Sequence, residues 1–164
     1  LAQVFGSRQH SGPDWESTSA VTVSALALSN SMARLLGLLA LASSVAAFDV
    51  TLYYETNCPY CKGLITDELA RTLADPAWAA LINLNMIPYG NAMGSGAACS
   101  CQHGPDECKG NKIHACAKKL MSQPDFNKFV VAFEQQLVAG QTSVALGDNL
   151  ASLAPGQAAA ITAC

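Results

Sequence analysis

Charged residues are scarce in this sequence of 164 residues, at 13% against 51% apolar residues, and the net charge is −3. Without an excess of positive charge, there is no electrostatic case for binding nucleic acid or an anionic membrane surface. The sequence has no internal repeat, no apolar run long enough to span a bilayer and no Asn-x-Ser/Thr sequon. These absences leave one globular domain with a sizeable core.

Cysteine is missing from the first 57 residues, whereas seven cysteines lie between Cys58 and Cys164. Whether they pair depends on the compartment, which the segment MARLLGLLALASSVAA (residues 32–47) indicates. A start methionine, one basic residue, an apolar run and then small residues are typical of a secretory signal peptide. Val45 and Ala47 suit the positions before a cleavage site, which predicts a mature start at Phe48. We expect delivery to the secretory pathway, with no membrane span in the mature form.

Residues 1–31 begin with leucine and are rich in Ser, Thr and Ala without clear periodicity. Because Met32 is the first methionine, we interpret this stretch as a non-native or untranslated extension. The predicted organisation is therefore an extension (residues 1–31), a signal peptide (residues 32–47) and one domain (residues 48–164).

The start of that domain changes from strand to helix and back to strand. Asp49–Glu55 is β-branched and aromatic, which predicts a strand. From Cys58, apolar residues recur every four positions, which predicts an amphipathic helix that ends at Pro76. In residues 81–90, apolar and polar residues alternate, which predicts a second strand. Strand, helix and strand at this spacing predict a βαβ unit with a parallel pair, and hence an α/β fold.

The second half of the domain predicts helices. After a Gly-, Ala- and Cys-rich loop (residues 91–104), a helix is expected over Asp106–Met121. Ser122 is expected to cap a second helix, which has a strong apolar stripe and ends at Gly140. The last 24 residues carry little signal beyond weak helicity near residues 157–162.

The sequence NCPYCKG places Cys58 and Cys61 where the first strand gives way to the helix. A cysteine at a helix start meets unpaired N–H groups that favour its thiolate, which is the nucleophile of thiol chemistry. Cys61 lies one turn later and can attack a mixed disulfide formed on Cys58. The alternatives are a structural disulfide and half of a zinc site. Zinc is disfavoured because the other candidate ligands have no common zinc spacing; they are Cys99, Cys101, Cys108 and Cys116.

A second motif, CQHGPDECKGNKIHAC, runs from Cys101 to Cys116. It resembles, without a mismatch, the signature of the gamma-interferon-inducible lysosomal thiol reductase (GILT) family. The signature residues are Cys101, Gln102, His103, Gly104, Glu107, Cys108, Asn111 and Cys116. The resemblance extends over about residues 50–120. The CPYC motif also resembles glutaredoxin, but glutaredoxin needs neither the signal peptide nor this signature.

The resemblance implies a thioredoxin-like fold with a helical insertion. It also implies reduction of disulfide-bonded protein substrates in acidic compartments, with Cys58 as nucleophile and Cys61 as resolving cysteine. No cofactor is expected, because an external thiol such as cysteine or glutathione would supply the electrons. The expected destination is secreted, lysosomal or vacuolar. The competing hypothesis is a non-catalytic, secreted domain in which both cysteines form a structural disulfide, called the staple. A redox-active pair is expected to be exposed, whereas a staple is not.

Helix geometry restricts the pairing of the signature cysteines. Eight residues at about 1.5 Å each place Cys108 and Cys116 about 12 Å apart, beyond the roughly 7 Å that a disulfide allows between Cα atoms. Cys99, Cys101 and Cys164 remain as partners, and one of these five cysteines stays unpaired. His103 and His114 are functional candidates, but we favour the interpretation that His103 is a loop histidine and His114 an exposed helix histidine.

The sequence departs from the implied fold at its end. A thioredoxin-like domain returns with two more strands, a final helix and a cis-proline loop facing the CxxC. Nothing after Gly140 predicts such strands, and the only later proline is Pro155. The sequence therefore predicts a domain that is truncated before its C-terminal strands.

Overall fold

The structure is a computed structural model that describes residues 3–6 and 47–164. Its strands are β1 (Gln3–Gly6), β2 (Phe48–Tyr54) and β3 (Ile82–Pro88). Its α-helices are α1 (Pro59–Gly63), α2 (Ala70–Ala74), α3 (Pro76–Ala79), α4 (Pro105–Leu120), α5 (Gln123–Val138), α6 (Ser143–Asp148) and α7 (Ala158–Ala163). A π-helical segment (Leu64–Leu69) joins α1 to α2, and 3-10 turns lie at Gly96–Ala98 and Leu150–Ser152.

The sheet has the order β1-β2-β3, with β2 in the centre. β2 and β3 run parallel, in a register that places Leu52 opposite Met86, and both side chains are buried. The parallel pair and its connecting helix confirm the predicted βαβ unit and the α/β class. The sequence does not predict β1, which pairs antiparallel with β2 and sets Gln3 opposite Tyr53. A four-residue strand is too short for its alternation to stand out.

The helix between β2 and β3 carries the predicted apolar stripe. Ile65 is fully buried, and Leu69 and Leu73 pack against the core. The structure differs from the prediction in the middle of this helix, where Leu64–Leu69 adopts the wider π-helical turn. A π-helical turn adds a residue to one turn and rotates the side chains that follow, which a simple apolar period does not specify.

Helices α4 and α5 supply most of the apolar core opposite the sheet. The predicted stripe of α5 is buried throughout: Phe126, Phe129, Val130, Phe133 and Leu137. The Oγ of Ser122 accepts from the backbone N–H of Asp125, as expected for a helix cap. The Nδ2 of Asn127 donates to the carbonyl of Leu84 at 3.0 Å, which fixes α5 against β3.

The last part of the chain is helical. α7 confirms the weak helical signal near residues 157–162, whereas α6 was not expected. Their apolar side chains join the core, together with those of the intervening turn: Leu146, Leu150, Ala154 and Ile161. Residues 89–164 contain no β-strand beyond a single bridge between Met93 and Ser100, and the described residues contain no cis peptide bond. The two strands and the cis-proline loop of a thioredoxin-like domain are therefore not seen in this part of the chain.

Two of the predicted segments fall mainly outside the described residues. The signal peptide of residues 32–47 is described only at Ala47, and the extension of residues 1–31 only at Gln3–Gly6. Within the described part of the chain, no helix is both long and apolar enough to cross a membrane.

Candidate active site

Cys58 and Cys61 lie at the junction between β2 and α1, as predicted. Cys58 has extended backbone dihedrals and directly precedes Pro59, the first residue of α1. Proline suits this position because it supplies the helical φ angle and lacks an N–H that would remain unpaired there. The thiols of Cys58 and Cys61 are hydrogen-bonded to each other. The chain thus holds a dithiol in which both sulfurs are in reach of one another.

Both thiols are buried, which corrects the expectation that a redox pair is exposed. Cys58 is 1% exposed and Cys61 is 0% exposed. Burial raises the pKa of the Cys61 thiol to about 12, an N–H from the Glu55 backbone opposes this shift, and the hydrogen bond with Cys58 adds to it. Cys61 is therefore held as a thiol at neutral and acidic pH.

The signature helix α4 anchors the segment immediately before Cys58. The side-chain oxygen of Asn111 accepts from the backbone N–H of Thr56 at 3.1 Å and from its hydroxyl at 3.2 Å. The same hydroxyl donates to the backbone carbonyl of Glu107 at 2.9 Å. All these groups are buried, so the bonds are not exchanged with water. Two signature residues thereby position the chain that leads into the CxxC.

Asp106 adds a second anchor between the same segment and the C-terminal helices. Its carboxylate accepts from the Asn57 side chain at 2.8 Å and from the backbone N–H groups of Ser143 and Val144. Burial favours its neutral form, but these hydrogen bonds outweigh burial and lower the pKa of Asp106. Asn57 has a φ of 64°, a left-handed conformation that asparagine tolerates better than most residues. The carboxylate therefore joins the turn before Cys58 to the start of α6.

Next to Cys58 lies a cluster of two buried carboxyl groups and one histidine, Glu55, Glu107 and His103, called the carboxyl–histidine cluster below. The Nδ1 of His103 is hydrogen-bonded to Glu107 Oε2 and lies 3.7 Å from Glu55 Oε2. A ring nitrogen of His103, a Glu55 oxygen and the Cys58 sulfur all lie within 4.8 Å of one another. Burial raises the pKa of Glu107, and the contact with His103 opposes that shift.

The loop after β3 closes over the carboxyl–histidine cluster. The backbone N–H of Asn91 donates to Glu55 Oε1. Gly90 has a φ of +43°, and a Cβ there would lie 2.4 Å from the Cγ of Glu55. Only glycine fits this close approach. Gly104 has a φ of +90° at the start of α4, which explains why that signature position is glycine.

A third buried carboxyl group, Glu134 of α5, faces the CxxC from another direction. Its side chain is fully buried, and neither oxygen has a hydrogen-bond partner among the described residues. Burial raises the pKa of Glu134 to about 8, Lys62 opposes the shift and Cys58 adds to it. Glu134 is therefore protonated at acidic pH.

His114 corrects the expectation of an exposed helix histidine, because it is fully buried. Its Nδ1 is 2.7 Å from the hydroxyl of Tyr54, and its ring packs edge-on against Phe133 with centroids 4.5 Å apart. Burial lowers the pKa of His114 to about 3, so the ring is neutral and belongs to the core.

Two disulfides are present in the described residues, Cys101–Cys108 and Cys116–Cys164. They confirm that Cys108 and Cys116 do not pair with each other and that one of the five later cysteines, Cys99, is left over. The Cys99 sulfur lies 3.0 Å from that of Cys108 and 3.5 Å from that of Cys101. These three sulfurs can hold a metal ion only after the disulfide is reduced, and Cys116 is not among them.

The remaining signature residue, Gln102, is exposed and accepts from the Asn91 side chain at 3.3 Å. Sequence reasoning missed Glu55, Thr56, Asp106 and Glu134, all of which the fold brings to the CxxC. Glu55 and Thr56 stand immediately before the motif, and Asp106 occupies a position that the signature leaves open. Their position next to the motif could have indicated Glu55 and Thr56, whereas nothing in the sequence of α5 distinguishes Glu134 from a surface residue.

The fold and the site together define an α/β domain with a CxxC dithiol at the start of a helix that follows a parallel strand. Residues 49–145 match the family model described as "Gamma interferon inducible lysosomal thiol reductase (GILT)", and the chain belongs to this family. The match includes Cys58, Cys61 and the whole signature, and it confirms the family resemblance of the sequence.

Individual relatives match part of the chain. It is 36% identical over 84 residues to GILT-like protein 1 of Drosophila melanogaster, covering 49% of this chain and 33% of that protein. It is 37% identical over 76 residues to the gamma-interferon-inducible lysosomal thiol reductase of Carassius auratus, covering 44% and 30%. It is 39% identical over 77 residues to the gamma-interferon-responsive lysosomal thiol protein of Arabidopsis thaliana, covering 46% and 32%. The chain thus spans about a third of the length of these relatives.

Proposed function

We propose that this chain is a thioredoxin-like thiol–disulfide oxidoreductase that reduces disulfide-bonded proteins through Cys58 and Cys61. The observation that carries the proposal is the dithiol itself. The two sulfurs are in hydrogen-bonding contact at a strand–helix junction, while four other cysteines form two disulfides elsewhere. The names of the relatives, which include lysosomal thiol reductases, support the same reaction class.

The reaction has two exchanges. The Cys58 thiolate attacks one sulfur of the substrate disulfide, forms a mixed disulfide and releases the first substrate thiol. Cys61 then attacks the Cys58 sulfur, which leaves a Cys58–Cys61 disulfide and releases the second substrate thiol. The substrate gains two electrons and the dithiol loses them. An external thiol, such as cysteine or glutathione, restores the dithiol without a bound cofactor. The compartment we propose is a lysosome, a vacuole or the extracellular space.

The second candidate is the non-catalytic staple, and the burial of both thiols favours it. The two candidates differ in accessibility and ease of reduction. A buried nucleophile reacts with a protein disulfide only when neighbouring side chains move aside, whereas a staple stays oxidised and closed. Titration of the oxidised chain with graded thiol buffer therefore separates them.

The test uses Cys58→Ser and Cys61→Ser in the full chain with a disulfide-linked fluorescent peptide as substrate. Cys58→Ser is expected to abolish turnover, and Cys61→Ser to accumulate the mixed disulfide on Cys58, which mass spectrometry detects. Cys99→Ser is the matched control, because its sulfur lies outside the CxxC pair. Equal turnover of Cys58→Ser and the parent would exclude the proposed reaction.

A further inference from the structure

The carboxyl–histidine cluster brings three titratable groups to the Cys58 sulfur. The side chains of Glu55 and Glu107 are 1% and 0% exposed, while that of His103 is 34% exposed. Of the four groups that meet here, His103 is therefore the one that reaches solvent, where it can exchange protons. Glu55 Oε2 and Glu107 Oε1 have no hydrogen-bond partner in the described residues, so both carboxyl groups retain capacity to accept a proton.

Two buried carboxylates next to a thiolate would repel it strongly, because buried charges are weakly screened. The arrangement becomes favourable when His103 is an imidazolium. Its positive charge then lies close both to the carboxyl groups and to the Cys58 sulfur, which is within 4.8 Å of a ring nitrogen and of a Glu55 oxygen. A structural histidine would need only one of these partners; the convergence of all three on one ring indicates that the ring handles charge at the sulfur.

We propose that His103, oriented by Glu107 and Glu55, is the acid–base partner of Cys58. This inference rests on the proposed reductase function and adds a residue to it. His103 takes the proton of the Cys58 thiol and pairs with the resulting thiolate. When that thiolate attacks the substrate disulfide, His103 gives the proton to the substrate sulfur that leaves.

The proton and electron balance closes over the two exchanges. The first substrate thiol carries the proton that came from Cys58 through His103. The second substrate thiol carries the proton of Cys61, which leaves when Cys61 attacks the Cys58 sulfur. The two electrons come from the dithiol, as in the proposed function, so no further oxidant or reductant is required.

The other charged and titratable groups around Cys58 do not provide this partner. Lys62 and Cys61 belong to α1, and Glu134 faces the sulfur from α5. Glu134 disfavours the thiolate when ionised, and Lys62 acts on Glu134. His103 differs from these groups because it combines a ring nitrogen close to the Cys58 sulfur with a side chain that reaches solvent.

The test compares His103→Asn and His103→Gln with the parent, using the full chain with its dithiol reduced. Asparagine places an uncharged donor near the position of Nδ1, where it can still bond Glu107, whereas glutamine places an uncharged donor near the position of Nε2. Lys119→Gln, an exposed residue at the far end of α4, removes one positive charge as the control. The readouts are the iodoacetamide labelling rate of the Cys58 peptide and reductase turnover, both from pH 4.5 to 8.

Both His103 variants are expected to label Cys58 about tenfold more slowly than the parent at pH 5 and at nearly the parent rate at pH 8, because an imidazolium assists the thiolate and a neutral imidazole does not. Turnover at pH 5 should fall about 100-fold, and Lys119→Gln should match the parent. An unchanged profile, or an equal loss at every pH, would overturn the inference. If the parent labels with this His103-dependent profile but does not turn over, the proposed function fails, whereas the pairing of His103 with the Cys58 thiolate is supported.

Discussion

Glu134 makes the stability of the folded chain depend on pH in a direction opposite to that of most carboxyl groups. Its pKa is raised from 4.5 to about 8 by burial. Above pH 4.5 the unfolded chain loses this proton, whereas the folded chain keeps it until about pH 8. The folded state therefore binds more protons in this window, and its stability falls as pH rises. The contribution is fully present below pH 4.5.

The size of the effect follows from one pKa unit being about 1.4 kcal/mol. Between pH 5 and pH 8, the ionisation of Glu134 is expected to reduce the free energy of unfolding by about 3 kcal/mol. That is a large share of the 5–15 kcal/mol that stabilises a typical domain. Glu134→Gln removes the titration but keeps the shape of the protonated carboxyl group. The variant should match the parent at pH 5 and exceed its stability at pH 8.

Urea unfolding at pH 5, 6.5 and 8, with the CxxC held as a dithiol, measures this difference. Glu68→Gln is the matched control, because Glu68 is exposed and pairs with Arg71 on the surface. The difference between variant and parent should grow with pH for Glu134→Gln and remain flat for Glu68→Gln. A flat difference for Glu134→Gln would refute the reasoning, since it would mean that Glu134 is ionised in the folded chain at pH 5.

Two further predictions concern the groups that surround the site. Burial lowers the pKa of His114 from 6.5 to about 3, so its contribution to the free energy of unfolding is complete above pH 6.5 and declines as pH falls, by about 3 kcal/mol at pH 4.5. His114→Gln should remove this loss of stability at acidic pH. Urea midpoints at pH 4.5 and 7 check this, and a parent-like acid loss in the variant would contradict it. Asn111→Ala should cost about 1–3 kcal/mol, because it leaves the buried Thr56 N–H without its acceptor. Lys112→Ala, on the exposed face of α4, is the control, and equal unfolding midpoints for the two variants would count against the anchor.

The sequence was sufficient for the local elements and for the motif that defines the family. The β-branched and aromatic composition of β2 predicts a strand, and the period of two in β3 and the apolar stripe of α5 reflect which side chains face the core, as the structure confirms. The position of Cys58 at the start of a helix followed from the same change of period. The helical-geometry argument that separated Cys108 from Cys116 also held, because the rise of a helix is fixed.

The sequence predictions that were wrong or missing concern side chains whose burial depends on packing between segments distant in the chain. The sequence predicts an exposed His114, because the polarity of a single histidine does not show whether its side chain faces solvent or the core. In the structure, Tyr54 and Phe133 contact the buried ring. The sequence does not single out Glu134, since a glutamate in an amphipathic helix ordinarily faces solvent. The thiols were expected to be exposed, because a CxxC motif does not reveal which later segments cover it.

The signature residues contact the segments that surround the CxxC motif. Asn111 and the Glu107 carbonyl hold Thr56, two residues before Cys58, while the Glu107 carboxyl group holds His103. The Cys101–Cys108 disulfide joins the loop that carries His103 to the first turns of α4. The segment before Cys58 and the loop that carries His103 are thus both fixed to α4. Because both depend on α4, a change in that helix should alter the orientation and the charge environment of Cys58 together.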